Sequence, residues 1–351
     1  MFLSNIFQVP SSHFDKKHLI RIGKKKVKNM SKTYRWGILG PGKIAEKFCE
    51  AMKVADDSEV YAIASRDKEK AKLFGEKYNA SKYYGSYEEM MKNENVDIIY
   101  IATPHSFHYE QAMQCFENNK PVLCEKPMCI NYGQSAKLVE SAQQKNLFLM
   151  EGMWTLCMPF MQKIKQVIDE DKIGKVRCVS AQFGFLSEYN PQNRLWNKKL
   201  GGGSLLDVGV YNIFLATVLL GKPENLKCVA RISDTGIDEY VNLVMTYSNG
   251  ATAQLLSSIV FNTNTDAHIF GEKGRIIIKD PWSKATDLNI IIDGEMGEKF
   301  SEPHECNGFE YQIREVIECL EKGKIESESV PHKLTLIVSK LMDEILLMAG
   351  Y

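Results

Sequence analysis

The chain has 351 residues, and its 44 lysines and arginines balance 44 aspartates and glutamates, so no global field draws in nucleic acid or an anionic bilayer. That length suggests two compact units sharing an interface. No apolar run approaches the roughly 20 residues needed to span a membrane, and the longest, such as Ile213 to Leu220, reads as a core segment. Nine cysteines without a C-x-x-C pair suit a reducing cytoplasm, where the chain is expected to reside, and no metal site is expected.

Residues 1–32 form a basic, poorly periodic leader carrying Lys16, Lys17, Arg21, Lys24, Lys25, Lys26 and Lys28. It is expected to be disordered and to lie outside the fold, with Met30 opening the working protein. The basic cluster follows the apolar start, which argues against a secretory signal and leaves an organelle presequence open.

From Tyr34 onward, short apolar runs alternate with amphipathic stretches, as in a parallel sheet with crossover helices. Strands are expected at Tyr34 to Leu39, Glu59 to Ser65, Val96 to Ala102, Val122 to Cys124 and Phe148 to Met150. Helices are expected at Ile44 to Met52, Lys68 to Tyr78, Phe107 to Asn118 and Tyr132 to Lys145. Residues 33–153 thus read as a doubly wound α/β domain of dinucleotide-binding (Rossmann) type. After Trp154 the rhythm changes. One helix from Pro159 to Asp169 precedes strands at Val176 to Phe185, Leu226 to Ile232, Val241 to Tyr247 and Thr252 to Val260, with shorter ones at Arg275 to Ile278 and Leu288 to Ile292. The intervals are turn-rich, and Ser248-Asn249-Gly250 resembles a hairpin connection. Residues 154–351 therefore read as an α+β domain with a large, mostly antiparallel open sheet. Helices at Gly308 to Glu321 and His332 to Met348 close the chain, the last packing back on the body.

The first strand runs into Gly40-Pro41-Gly42-Lys43-Ile44-Ala45, a G-x-G-x-x-A fingerprint opening a helix. Gly40 permits the tight turn, Gly42 lets a pyrophosphate approach the backbone, and small Ala45 lets the helix sit close to the strand. The N–H groups of Lys43, Ile44 and Ala45 and the positive end of the helix then face the phosphates. The second strand ends Ala64-Ser65-Arg66-Asp67. Ser65, Arg66 and, one turn on, Lys70 suit a ribose 2′-phosphate, which favours NADP over NAD. Asp67 is either a helix N-cap or a ribose ligand for NAD.

Cys124-Glu125-Lys126-Pro127 puts a charged pair at the carboxyl edge of the sheet, where ligands of such folds gather. Partial burial beside a cofactor makes Lys126 easier to deprotonate and lets it hydrogen-bond a substrate hydroxyl; a salt bridge capping the strand is the plainer reading. Thr103-Pro104-His105-Ser106-Phe107-His108 follows the fourth strand at the same edge, where His105 is either a proton shuttle or a hydrogen-bonded structural group.

The G-x-G-x-x-A turn, the Glu125-Lys126-Pro127 triplet and the later run from Gly202-Gly203-Ser204 through Asp207 to Tyr211 together resemble the glucose-fructose oxidoreductase and inositol dehydrogenase (Gfo/Idh/MocA) family. The likeness extends from Tyr34 through the last helix. Leu123 to Pro127 and Phe148 to Thr155 carry a nearer likeness to its dimeric dihydrodiol dehydrogenases, also described as NADP-dependent D-xylose dehydrogenases. The resemblance implies that Lys126 and Glu125 border the nicotinamide ribose, that Thr103, His105 and His108 line the nicotinamide pocket, and that Tyr211 exchanges the substrate's hydroxyl proton. It assigns substrate binding and self-association to residues 154–351, and implies a homodimer or larger homo-oligomer. Lys126 and an oxidised nicotinamide, both positive, are expected to lower the tyrosine's pKa from about 10. Asp207, one helical turn earlier, orients the lysine or the substrate. Trp154, Phe183 and Arg194 are substrate-side candidates, with the core and the surface as their plainer alternatives. The expected substrate is a neutral sugar, polyol or cyclic trans-dihydrodiol. A nucleotide-sensing regulatory protein and a sugar oxidoreductase with tightly held cofactor are the rival readings.

Overall fold

The structure is a computed structural model that describes residues 32–294 and 297–351. The expectation for the basic leader falls outside them, except at Lys32. The first half alternates β1 (Tyr34–Leu39), α1 (Lys43–Met52), β2 (Ser58–Ala64), α2 (Lys68–Lys77), β3 (Lys82–Tyr84), α3 (Tyr87–Met91), β4 (Ile98–Ile101), α4 (His108–Glu117), β5 (Val122–Glu125), α5 (Tyr132–Lys145) and β6 (Leu149–Gly152). All six strands are parallel, in the order β3-β2-β1-β4-β5-β6. Every residue of β4, β5 and β6 is buried, as in strands covered by helices on both faces. The order reverses between β1 and β4, and the glycine turn leaves β1 at that switch point.

The helices begin and end where local chemistry dictates. Asp67 accepts from the backbone N–H groups of Glu69 and Lys70 to cap α2, and Asn131 accepts from Gln134 to cap α5. Asn146 closes α5 in the left-handed conformation at φ 53°. Helix α1 buries Ala45, Phe48, Cys49 and Met52, one stripe at helical spacing.

The second half comprises α6 (Pro159–Asp169), β7 (Val176–Gly184), α7 (Val210–Leu220), β8 (Asn225–Ile232), β9 (Asp238–Thr246), β10 (Thr252–Ser258), β11 (Ala267–Gly271), β12 (Gly274–Ile278), β13 (Asp287–Ile292), β14 (Glu298–Ser301), α8 (Phe309–Glu321) and α9 (His332–Met348). One eight-stranded sheet runs β14-β13-β12-β11-β7-β10-β9-β8, with β7 and β10 parallel and every other pair antiparallel.

Several elements differ from the sequence reading. β3 and α3 are three and five residues long, too short to show a period. β11, five residues inside the second sheet, and β14, four residues at its edge, are likewise brief. Helix α7 joins what the sequence shows only as a helical turn at Asp207 to Tyr211 and an apolar core segment at Ile213 to Leu220, because an element buried on nearly every side carries no amphipathic signature. The segment Lys198–Leu220 containing it has the length and apolarity of a membrane span, yet 89% of its most apolar window is buried within the fold, as in a core helix.

Two large apolar cores result, beside a small cluster of Trp196, Ile237 and Ile259. One, holding Leu39, Ile99, Ile101, Val122, Leu138 and Leu149, fills one side of the parallel sheet. The other runs continuously from Trp36, Phe48 and Tyr100 through Trp154 and Tyr211 to Val179, Leu255 and Ile276 of the second sheet. Of the nine cysteines only Cys306 is exposed; Cys115, Cys124 and Cys129 are among the buried ones.

Phe48 is fully buried, stacked on Tyr100 with ring centroids 3.8 Å apart and set edge-on to Trp36 at 5.2 Å. Replacing it with alanine should remove about 3–5 kcal/mol of unfolding free energy through lost transfer energy and a cavity. Equilibrium urea unfolding checks this; a loss below about 1 kcal/mol would show that α1 is not anchored through this ring.

Candidate active site

The cofactor side is built on the exit of β1. Gly40 has φ +85°, and a Cβ there would meet the Thr103 methyl at 2.8 Å and the Ala102 carbonyl at 3.1 Å, so glycine is required twice over. A Cβ at Gly42 would meet nothing within 4 Å. Gly42 caps α1 without a side-chain hydrogen bond, which leaves the first N–H groups of the helix, at Lys43, Ile44 and Ala45, for a ligand. Open space beside unsatisfied N–H groups fits a pyrophosphate.

At the end of β2, Ser65 is buried and its hydroxyl accepts from the Asp67 N–H at 3.2 Å. Asp67, left open by the sequence, is the α2 N-cap through its Oδ1. Arg66 is exposed and lies over the Phe107 ring at 6.0 Å from its centroid, while Lys70 is exposed on the first turn of α2.

The two sheets meet at Lys126, the residue after β5. Its Nζ donates to the main-chain oxygen of Asp207 at 2.5 Å and lies 3.8 Å from the Asp207 carboxylate. Asp207 sits on a π turn, Leu205–Gly209, that runs into α7. Arg194 Nη2 donates to the same carboxylate at 2.9 Å. Burial alone would raise the Asp207 carboxyl, but Lys126, Arg194 and His105 outweigh it and hold it at about 2. Burial lowers the Lys126 ammonium, opposed by Asp207 and Glu125.

Tyr211, on the first turn of α7, is buried among aromatic rings. The Trp154 indole N–H donates to its hydroxyl at 2.9 Å, Phe183 lies 5.5 Å away and Trp282 stands edge-on at 6.5 Å. The expected lowering of its pKa joins Lys126 to an oxidised nicotinamide; the chain's own residues on balance act the other way. Burial pushes the phenol well above its ordinary value, and Glu125 and Asp207 push the same way against the Trp154 hydrogen bond. The reason is positional: Lys126 Nζ rests over the Tyr211 ring at 4.8 Å from its centroid and is committed to Asp207.

The histidines separate. His105 Nδ1 lies 2.9 Å from the Gly201 carbonyl and its Nε2 lies 3.4 Å from Arg194 Nη1, so it belongs to the Asp207 cluster. Burial, then Arg194, holds it neutral. His108 is fully buried with its two nitrogens against the main-chain oxygens of Pro127 and Thr103, which ties the turn after β5 to the turn after β4. The Thr103 hydroxyl donates to Gln111 at 2.6 Å, and the Glu125 carboxylate accepts from Tyr100 at 2.5 Å.

Several members of this assembly escape sequence reasoning. Buried Glu151 on β6 accepts from the Met128 N–H at 2.9 Å beneath the Lys126-Pro127 turn, and burial pushes its carboxyl up to about 7. Its place in an apolar strand end was the available signal. Trp282, 71 residues beyond the Tyr211 it faces, and Phe309, 155 residues beyond the Trp154 on which it stacks at 4.4 Å, lie where no local pattern marks them. A groove of about 390 Å³ between α5 and α9, lined by Tyr132, His332 and Lys340 among others, shares no residue with this assembly. Among the described residues no group of three or more His, Cys, Asp or Glu side chains is arranged to hold a metal ion.

Residues 34–153 match the family described as "Oxidoreductase family, NAD-binding Rossmann fold", and residues 161–277 match the "GFO/IDH/MocA C-terminal domain". The trans-1,2-dihydrobenzene-1,2-diol dehydrogenase of Xenopus tropicalis is 36% identical over 329 residues, covering 90% of this chain and 98% of that protein. The enzyme of the same name from Mus musculus is 36% identical over 322 residues, covering 88% and 95%. A 3-ketoreductase from Actinomadura kijaniata, solved with NADP and TDP-benzene, superposes with a TM-score of 0.80 at 26% identity over 90% of this chain and 97% of that one. An aldose-aldose oxidoreductase from Caulobacter crescentus, at 24% identity with a TM-score of 0.82 over 91% and 98%, shares the fold. The phosphate-ready glycine turn, the lysine–aspartate–tyrosine cluster and these likenesses agree: the chain belongs to the Gfo/Idh/MocA oxidoreductase family and is an NAD(P)-dependent dehydrogenase acting on CH–OH groups.

Proposed function

We propose that the chain is an NADP-dependent dehydrogenase of a cyclic diol, sugar or polyol, with Tyr211 as acid/base, Lys126 orienting the substrate hydroxyl and Asp207 positioning Lys126. The observation that carries this reading is the meeting of Lys126 with Asp207 one turn before Tyr211, at the carboxyl edge of the parallel sheet. The cofactor would lie on the Gly40–Ala45 turn and supply the hydride acceptor. The chain's own work is to bind, orient and move a proton. Trp154 donates to the Tyr211 oxygen and so favours the phenolate, while Lys126 over the same ring stays paired with Asp207. The aromatic wall of Phe183, Tyr211 and Trp282 suits a ring-shaped substrate with one apolar face. The named diol dehydrogenases, and the ketoreductase solved with NADP, support the same substrate and cofactor classes. So do solved variants of that ketoreductase in which a tyrosine or a lysine is replaced.

The NADP preference rests on Arg66 and Lys70 beside Ser65, with Asp67 spent as a helix cap. Buried free thiols suit the cytoplasm. For assembly we look to the outer face of the second sheet, where Val229, Val244 and Phe270 stand 67%, 47% and 37% exposed. A patch of that kind fits a second copy of the chain.

NADPH formation from trans-dihydrodiols, xylose, glucose and inositols tests the activity. Tyr211→Phe should lower kcat by roughly 10²–10⁴ while NADP still binds, as expected for loss of a general base. A variant retaining turnover would remove Tyr211 from the chemistry. Because burial holds the Tyr211 phenol above its ordinary value in the free enzyme, the base form grows with alkalinity, so kcat/KM for alcohol oxidation should climb through pH 8 to 10; a kcat/KM flat in pH would contradict the assignment. Arg66→Ala should raise the KM for NADP about tenfold, from loss of a charge-assisted contact, and leave that for NAD within twofold; equal effects on both would make Arg66 a mere helix-start cation. Light scattering should return at least twice the chain mass, and Val244→Glu should return the single-chain mass; a wild-type monomer rejects the sheet face as an interface.

A further inference from the structure

Asp238 opens β9, is fully buried, and takes no part in the chemistry proposed above. Its Oδ2 accepts from the Ser204 hydroxyl at 2.7 Å and from the Leu205 N–H at 2.6 Å. Leu205 is the first residue of the π turn that carries Asp207. The Ser204 side chain gives that turn no cap, so the carboxylate of Asp238, from a different strand, satisfies the leading N–H. The chain folds closely round this carboxylate. Gly203 sits at φ +114°, and a Cβ there would collide with Asp238 Oδ1.

Asp238 is itself held. The Tyr351 hydroxyl donates to Oδ1 at 3.0 Å and accepts from the Asp238 N–H at 2.6 Å, so one phenol fixes both the carboxylate and the backbone that bears it. Tyr351 is steadied by Lys198 Nζ, 4.2 Å from its ring centroid, and by its own N–H, which donates to the Leu346 carbonyl. The connection then runs in one direction through rigid parts: Tyr351 to Asp238, Asp238 to the head of the π turn, and the turn to the Asp207 oxygens that receive Lys126 and Arg194.

We propose that Asp238 and Tyr351 form a positioning pair for the active site, Asp238 capping the π turn from β9 and Tyr351 locking Asp238, so that together they set where Asp207 meets Lys126 and where Tyr211 stands. Neither residue touches substrate or cofactor; both act through the turn. The proposal rests on the catalytic reading of Asp207 and Tyr211, and its test separates the two.

The full chain is compared with Tyr351→Phe, which keeps the ring and removes only the hydroxyl. Deuterium uptake of residues 203–211 is read first, since it needs no substrate; the variant should exchange faster there and unchanged over residues 34–52. With the diol and sugar probes, Tyr351→Phe should lower kcat about tenfold, as small misplacements of reacting groups do, with the NADP Kd within twofold of wild type. In an Asp207→Asn background the same substitution should have no further effect on kcat. Faster exchange throughout the chain, a lower Tm with kcat unchanged, or full additivity with Asp207→Asn would each reduce Tyr351 to a stabilising contact and overturn the proposal. Tyr211→Phe is run in parallel: if it is inactive while Tyr351→Phe is normal, the positioning pair fails alone, and if Tyr211→Phe is active, the catalytic reading fails first.

Discussion

The buried ammonium of Lys126 is the point on which the two halves of the molecule depend for their alignment. It leaves the first sheet at the end of β5 and ends on Asp207, which belongs to the second. A side chain only 12% exposed loses much of its hydration, and isolated burial of such a charge is costly. The main-chain oxygen and carboxylate of Asp207 offset that loss, and Arg194 completes the carboxylate's shell. Removing either end leaves an unpaired charge in a tight space, which is far more damaging than replacing both. The positions of β5, the π turn and α7 are therefore mutually constrained, and the aromatic enclosure of Tyr211 follows from that constraint.

The legibility of this arrangement in the sequence was uneven for physical reasons. The parallel sheet and its helices announce themselves because fully buried strands and half-buried helices impose distinct spacings, as in Ile98–Ile101 and the Ala45, Phe48, Met52 stripe. The glycine turn is readable because Gly40 answers a positive φ and a crowded neighbour, constraints local to a few residues. Helix α7 leaves no such trace, being buried on nearly all sides. Asp67 is ambiguous as a letter in the sequence and unambiguous once its carboxylate is seen capping α2. Trp282 and Phe309 were illegible because their importance lies in contacts with partners that the fold brings together from far along the chain, whereas Glu151 was marked only as a charge at the end of an apolar strand.

The electrostatics at Tyr211 divides between the chain's own residues and the positive nicotinamide that the expected lowering also invokes. Opposite charges named together in a motif invite the idea that a lysine lowers a neighbouring phenol. In the structure, the lysine stands over the face of the ring and is already paired, while burial and two carboxylates keep the proton on the Tyr211 oxygen. A phenol of this kind gives up its proton reluctantly until something positive arrives beside it. That makes proton release a property of the loaded site.

The distribution of thiols has a practical side. Six of the nine cysteines are buried, and Cys306, just before α8, is the exposed one. Its neighbour Asn307 donates through its side chain to the Lys47 carbonyl of α1, so a label on Cys306 would sit at the seam between α8 and the helix that begins at the glycine turn. The protein thus carries a native attachment point for a dye beside the first helix of the parallel sheet, while Cys115, Cys124 and Cys129 are buried.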